Sequence, residues 1–163
     1  VRQNGIKVYR PQSQSRFLFG GSFKDYYCFG QEQLPATGDT LFITGGEKDV
    51  LSLAAHGFPA ICFGSETVRI PHRLIKELSQ RFQNIILLYD MDATGKKQAI
   101  ALQQELAEYN VSRIELPLAG TKQEKDISDY FRLGHTATEF RRLMPRPEVR
   151  QYTQHKNGQT FKH

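Results

Sequence analysis

From Leu41 onward the apolar positions alternate between two kinds of pattern. Short apolar runs fall at Leu41-Phe42-Ile43-Thr44, Ala60-Ile61-Cys62-Phe63, Ile85-Ile86-Leu87-Leu88-Tyr89 and Arg113-Ile114-Glu115-Leu116. The uninterrupted run before Asp90 reads as a strand buried on both faces of a sheet. Between the runs, apolar residues recur at helical spacing. Lys48 to His56 carries Val50, Leu53 and Ala54, and Gly57 follows as a C-cap. Pro71 suits the first turn of a helix whose stripe is Leu74, Ile75, Leu78 and Phe82. Gly95 to Tyr109 places Ala99, Leu102, Leu106 and Tyr109 on one face, and Ile127 to Leu133 reads as a short helix. Strands alternating with helices of this length predict an α/β fold, a parallel sheet flanked by helices with right-handed crossovers. Chemistry in such sheets collects at the carboxyl ends of the strands. That rule sets Gly45-Gly46-Glu47, Gly64-Ser65-Glu66 and Asp90-Met91-Asp92 on one rim.

The ends of the chain differ in kind. Ile6-Lys7-Val8-Tyr9, Arg16-Phe17-Leu18-Phe19 and Tyr26-Tyr27-Cys28-Phe29 are β-prone segments split by Pro11 and Gly20-Gly21. They predict a small antiparallel β-rich subdomain over residues 1–40, ahead of an α/β domain over 41–144. Residues 145–163 turn to Pro, Gln, Arg, His and Lys with little to bury, so a basic polar tail or linker is expected there. The chain starts at Val1, which leads us to expect a piece of a longer polypeptide, with N-terminal processing as the alternative.

Composition narrows the class. At 163 residues, 39% hydrophobic and 24% charged, the chain can bury a real core, although a mean hydropathy of −0.53 leans polar. No apolar run is long enough to span a bilayer, and no secretory core opens the chain, so no membrane partner is expected. Cys28 and Cys62 are far apart and lack a Cys-x-x-Cys partner, which argues against a zinc site in this segment and for a reducing, cytoplasmic setting. Residues 41–144 are neutral, with 13 Lys+Arg against 13 Asp+Glu. Both flanks are basic, with 5 against 3 over residues 1–40 and 4 against 1 over 145–163. A pI near 9.3 permits a polyanionic partner without requiring one.

The densest chemistry is acidic. Asp90 and Asp92 follow a buried strand at i and i+2, where extended side chains point to the same side. Two carboxylates held that close repel, and a hard cation such as Mg²⁺ relieves the repulsion. The alternative is one helix-capping Asp beside one solvated Asp. Gly45-Gly46-Glu47-Lys48-Asp49 sits between strand and helix, where glycines let the backbone approach a ligand; a plain turn whose acids favour the helix dipole is the other reading. In Lys125-Asp126-Ile127-Ser128-Asp129, Asp126 either caps a helix or joins the acids. Lys96 and Lys97 lie just past the acidic pair, on a solvated helix face or against phosphate.

Three separated motifs together carry a resemblance. Phe42-Ile43-Thr44-Gly45-Gly46-Glu47-Lys48-Asp49, Leu88-Tyr89-Asp90-Met91-Asp92-Ala93-Thr94-Gly95 and Lys125-Asp126-Ile127-Ser128-Asp129-Tyr130 resemble a Toprim domain over Leu41 to Phe131. The similarity runs to the branch found in bacterial-type DNA primases and primase-helicases. Lys7-Val8-Tyr9-Arg10-Pro11 and Phe29-Gly30-Gln31-Glu32-Gln33-Leu34-Pro35 are more loosely similar to the β-rich region before Toprim in these primases. The resemblance implies RNA primer synthesis on single-stranded DNA by nucleotidyl transfer dependent on Mg²⁺ or Mn²⁺. It implies metal ligation by Asp90 and Asp92 with Asp126, Asp129, Glu47 and Asp49. Glu47, Asp90 and Asp92 are the implied catalytic acids, and Lys48, Lys96, Lys97 and Lys125 the phosphate contacts. Implied partners are single-stranded DNA, nucleoside triphosphates and a replicative helicase domain in cis or trans. Tyr9, Arg10, Arg16 and Phe17 are candidates for holding the single strand by stacking and phosphate attraction.

One departure bears on catalysis. The branch reads Glu-Gly-x-x-Asp after the first strand, and alignment on Asp49 puts Gly45 at the Glu position. Either Glu47 or Glu66 substitutes, or the domain binds metal and nucleic acid without efficient turnover. Two alternatives follow: a non-catalytic nucleic-acid-binding Toprim module of a replication or mobile-element protein, and a Toprim-type metal-dependent nuclease. A topoisomerase is disfavoured, because no domain bearing a tyrosine nucleophile is present.

Overall fold

The computed structural model describes residues 4–10, 12–15, 17–22 and 26–145. Its centre is a five-stranded sheet built from β3 (Cys28–Phe29), β4 (Gly38–Thr44), β5 (Ala60–Phe63), β6 (Phe82–Leu88) and β7 (Val111–Arg113), in the order β3-β5-β4-β6-β7. β4, β5, β6 and β7 pair in parallel, and β3 adds an antiparallel edge to β5. The helices are α1 (Glu47–Ala55), α2 (His72–Arg81), α3 (Ala93–Glu105), α4 (Ile127–Arg132) and α5 (Ala137–Leu143). A separate antiparallel hairpin is formed by β1 (Asn4–Tyr9) and β2 (Phe17–Ser22).

Strand residues alternate strictly between the two faces. Leu41, Ile43, Ile85, Leu87 and Tyr89 pack with Leu74, Ile75 and Leu78 of α2 and Ala99 and Leu102 of α3. Phe42, Ile86 and Leu88 pack on the opposite side with Val50 and Leu53 of α1, Ile127 and Tyr130 of α4, and Phe140 of α5. Each such side chain contributes about 1.5–3 kcal/mol when fully buried, so the two layers together fix the strand register. The chain leaves β4 for β5 through α1, then returns across β4 to β6 through α2. Right-handed crossovers in opposite directions put α1 and α2 on opposite faces. The strand order therefore reverses between β4 and β6, and their carboxyl ends flank a crevice.

Several local expectations shift by a few residues. Gly57 does close α1, with φ +80° and its N–H donating to the Ala54 carbonyl at 3.0 Å. Phe82 is not the end of the α2 stripe: it starts β6, because at φ −120° its backbone is already extended and pairs opposite Gly38. The helix expected over Gly95 to Tyr109 begins at Ala93 and ends at Glu105, and residues 107–109 form a 3-10 turn closed by Asn110 at φ +55°. The strand expected at Arg113-Ile114-Glu115-Leu116 lies earlier, at Val111–Arg113, since only Val111, Ser112 and Arg113 find ladder partners on β6. Tyr26-Tyr27-Cys28-Phe29 leaves the N-terminal unit, and Cys28 and Phe29 extend the main sheet instead. Helix α5, opened by a Thr136–Glu139 capping box, had no expected counterpart. The tail from residue 146, and Pro11 and Arg16, lie outside the described residues.

Both cysteines are buried, and burial pushes their thiols up, Cys28 to about 12, as suits small apolar fillers. Among the described residues no helix is long and apolar enough to cross a membrane.

Candidate metal centre

Three chain segments meet at the crevice, each delivered by a different local device. After β4, the Thr44 hydroxyl donates to the Gly46 carbonyl at 3.2 Å, turning the chain into α1 and directing Asp49 inward. After β6, Asp92 caps α3 by accepting from the Gly95 N–H at 2.9 Å. Gly95 is required there: a Cβ on it would overlap the Asp90 carbonyl, so α3 can sit against the Asp90 backbone only without a side chain. The third segment is stitched on by main chain. The Met91 N–H donates to the Lys125 carbonyl at 2.6 Å, and Asp126 caps α4 by accepting from the Asp129 N–H at 3.0 Å.

The result brings Asp49, Asp90 and Asp126 together, with one carboxylate oxygen of each within 4.8 Å of the others. Asp49 and Asp126 are buried and Asp90 is partly so. At an effective dielectric near 20, unit charges that far apart repel by roughly 3 kcal/mol, a large share of a domain's stability. Two lysines answer that repulsion. Lys48 Nζ donates to Asp126 Oδ2 and to Asp49 Oδ1, the latter at 3.2 Å. Lys125 Nζ donates to Asp90 Oδ2 and lies 3.6 Å from Asp92 Oδ2. Ser128 Oγ donates to Asp49 Oδ1 at 2.7 Å.

The neutralisation is incomplete. Burial, reinforced by the Asp126 charge, holds the Asp49 carboxyl up at about 6 despite Lys48 and Ser128. Burial also raises Asp90, although Lys125 pulls the other way. On Lys48, burial works against the charge, but Asp49 and Asp126 outweigh it and the group is raised. An all-oxygen donor set from three rigid elements, carrying more negative charge than its lysines cancel, fits a hard divalent cation.

The remaining candidate residues divide. Asp92 is the cap of α3 as well as a neighbour of Lys125, so the two sequence readings of the Asp-x-Asp pair are combined in one side chain. Asp129 is not among the three and is otherwise engaged, accepting from the Lys125 N–H at 3.0 Å and from Arg132 at 3.2 Å. Glu47 is not brought to the cluster. Burial opposes its charge, yet Lys7 Nζ at 2.6 Å and the Tyr27 hydroxyl at 2.8 Å hold its carboxyl below the usual range. Lys96 pairs with Glu115 at 3.1 Å and Lys97 is exposed, so of the four lysines only Lys48 and Lys125 touch the acids. Sequence reasoning missed Ser128 and Lys7 as participants. Neither carried a signal, since a serine in a first helical turn and a lysine alternating with apolar strand residues are both commonplace.

This is the fold of a Toprim domain, and the comparisons agree. The Toprim-like family matches residues 42–131, more than half of the chain. The chain therefore belongs to the Toprim-like family. A search of curated proteins finds no match. Among solved structures, the primase fragment of the bacteriophage T7 primase-helicase protein is 24% identical with a TM-score of 0.60, over 86% of this chain and 56% of that one. A structure of bacteriophage T7 lagging-strand DNA polymerase interacting with primase domains bound to an RNA/DNA hybrid and dTTP matches at 23% identity and TM-score 0.55, over 78% of this chain and 64% of that one. The zinc-binding and RNA polymerase domains of the Aquifex aeolicus primase match at 18% identity and TM-score 0.62, over 86% of this chain and 36% of that one. The fold is thus shared with primase fragments, and the chain spans less than two thirds of each.

Proposed function

We propose that this chain is the Toprim portion of a primase or primase-helicase that joins ribonucleotides on a single-stranded DNA template. The carrying observation is the convergence of Asp49, Asp90 and Asp126 at the switch point between β4 and β6. The RNA/DNA hybrid and dTTP bound by one structural neighbour support the same substrate class. Asp49, Asp90 and Asp126 would hold Mg²⁺ or Mn²⁺, with Asp92 close by. The bound ion would supply charge stabilisation for phosphoryl transfer and lower the pKa of a primer 3′-hydroxyl. Lys48 and Lys125 bind and orient triphosphate oxygens as compact point charges, exchanging carboxylate partners for phosphate. Ser128 keeps the Asp49 carboxylate in its rotamer through that exchange. Tyr9 and Phe17, stacked at 5.1 Å between centroids and largely exposed, offer a face on which a base of the single strand stacks.

A second reading, a module that binds metal and nucleic acid without turnover, draws on a single observation: Glu47 is committed to Lys7 and Tyr27, away from the cluster. Primer synthesis with Mg²⁺ or Mn²⁺, run on wild type and Asp90→Ala, separates the possibilities. Synthesis that disappears in the variant supports the proposal. Metal-dependent cleavage instead would identify a nuclease, and metal-responsive binding without either product would identify the binding module.

A further inference from the structure

The loop after β5 contributes Glu66, one of the two acids weighed in the sequence as a substitute at the Gly45 position. Glu66 projects from a tight turn in which the Val68 N–H donates to the Ser65 carbonyl at 3.2 Å and the Ser65 and Thr67 hydroxyls lie 2.9 Å apart. Its Oε1 accepts from the Asp90 N–H at 2.9 Å, which leaves Oε2 outside that bond. Its position depends on Gly45. A Cβ on Gly45, the residue directly after β4, would stand 2.6 Å from Glu66 Oε1 and 3.0 Å from its Cγ. The Glu66 side chain therefore fills the volume that any side chain at position 45 would enter.

We propose that Glu66 is a carboxylate of the metal site, reaching from the β5–α2 loop into the space that Gly45 leaves open. The inference rests on the metal-site reading above. A purely structural acceptor for one backbone N–H needs no charge, and glutamine or serine would serve. A charge here is unfavourable on its own terms, because it adds a carboxylate beside Asp90, whose N–H it already accepts. A divalent cation beside Asp90 turns that liability into an attraction. It also accounts for the paired oddity of a rim glycine and an inward-pointing glutamate on the next loop.

Mn²⁺ titration of the whole chain, read as loss of the free-ion EPR signal, tests this without reference to activity. Glu66→Gln keeps the acceptor for the Asp90 N–H and removes the charge; Mn²⁺ affinity is expected to fall about tenfold or more. Glu66→Asp keeps the charge but shortens the reach, and is expected to lose a similar factor. Gly45→Glu/Glu66→Ala, which moves the carboxylate to the other loop, is expected to recover binding relative to Glu66→Ala. Unchanged Mn²⁺ affinity in Glu66→Gln, full affinity in Glu66→Asp, or no recovery in the double variant would each overturn the assignment. If wild type binds Mn²⁺ and Asp90→Asn does not, the metal-site reading survives such a result. If wild type binds none, both fall together.

Discussion

The acidic rim and the N-terminal hairpin are held by opposite means. At the rim, polar groups are fixed redundantly: Asp90 is placed by the buried strand before it, by Gly95 against its backbone, and by Glu66 and Lys125. Asp126 and Asp92 each cap a helix while facing neighbouring charges. The hairpin has no core of its own. Ile6, Val8, Tyr9, Phe17, Leu18 and Phe19 are all exposed, and two strands alone are marginal in water. Its described contacts with the domain run through Lys7 and Phe19: the Lys7 side chain is 7% exposed, pairs with Glu47 and lies over the Phe17 ring at 4.5 Å, and Phe19 meets Tyr27 edge-on at 6.4 Å. A rim that concentrates like charge needs rigid support, whereas the exposed hairpin rests on a few contacts with the domain.

The contrast is most sharply broken at Gly95. Gly95→Ala forces a methyl into the Asp90 carbonyl, so about 2–3 kcal/mol of unfolding free energy should be lost, with Mn²⁺ affinity falling alongside it. Chemical denaturation together with Mn²⁺ titration measures both, and an unchanged midpoint would mean that the α3 junction is looser than described.

A pH series comes next in size. The Asp49 and Glu66 carboxyls are raised in the folded state, to about 6 and about 7 from 3.8 and 4.5. An acid raised in this way favours folding while protonated, so its contribution is present below the unfolded pKa and is lost as pH rises through the folded one. Metal-free protein should therefore unfold more easily at pH 8 than at pH 5.5, by about 1–3 kcal/mol, and Mg²⁺ at pH 8 should reverse the loss. Glu47 and Asp129, lowered by their partners, contribute in the opposite sense only at more acidic pH. Thermal melts of wild type and Asp49→Asn check this, since the variant should show a flatter profile.

Smaller effects lie at the periphery. Lys7→Met removes the buried ion pair between hairpin and domain, and protease cleavage within the first 25 residues should accelerate several-fold while global stability falls by about 1 kcal/mol. Lys96→Ala breaks only an exposed pair with Glu115, so stability should change by less than about 0.5 kcal/mol and Mn²⁺ binding not at all. A marked loss of Mn²⁺ affinity in that variant would place the cation site further along α3 than Asp90.

Much of this was legible in the residues themselves. The aliphatic runs at Leu41, Ala60 and Ile85 became parallel strands because nothing but a buried sheet accommodates them. Asp90, Asp126 and Asp49 could be singled out because each follows a strand or opens a helix. The strand after Asn110 was misplaced by a few residues, since Ile114 and Leu116 are as apolar as Val111 and only ladder pairing distinguishes them. The placement of Glu47 was harder to read. It lies two residues from Asp49, yet Lys7 and Tyr27, 40 and 20 residues away, hold it elsewhere.

Hydrophobic spacing by itself determined that this chain alternates strands and helices and that acids gather along the carboxyl ends of a parallel sheet, because those patterns are local and burial drives them directly. Which acids meet was decided only in three dimensions. Asp49, Asp90 and Asp126 converge, Asp129 and Glu47 are held by other partners, and Glu66 enters over Gly45, because those outcomes depend on loop-to-loop contacts between residues that the chain keeps far apart.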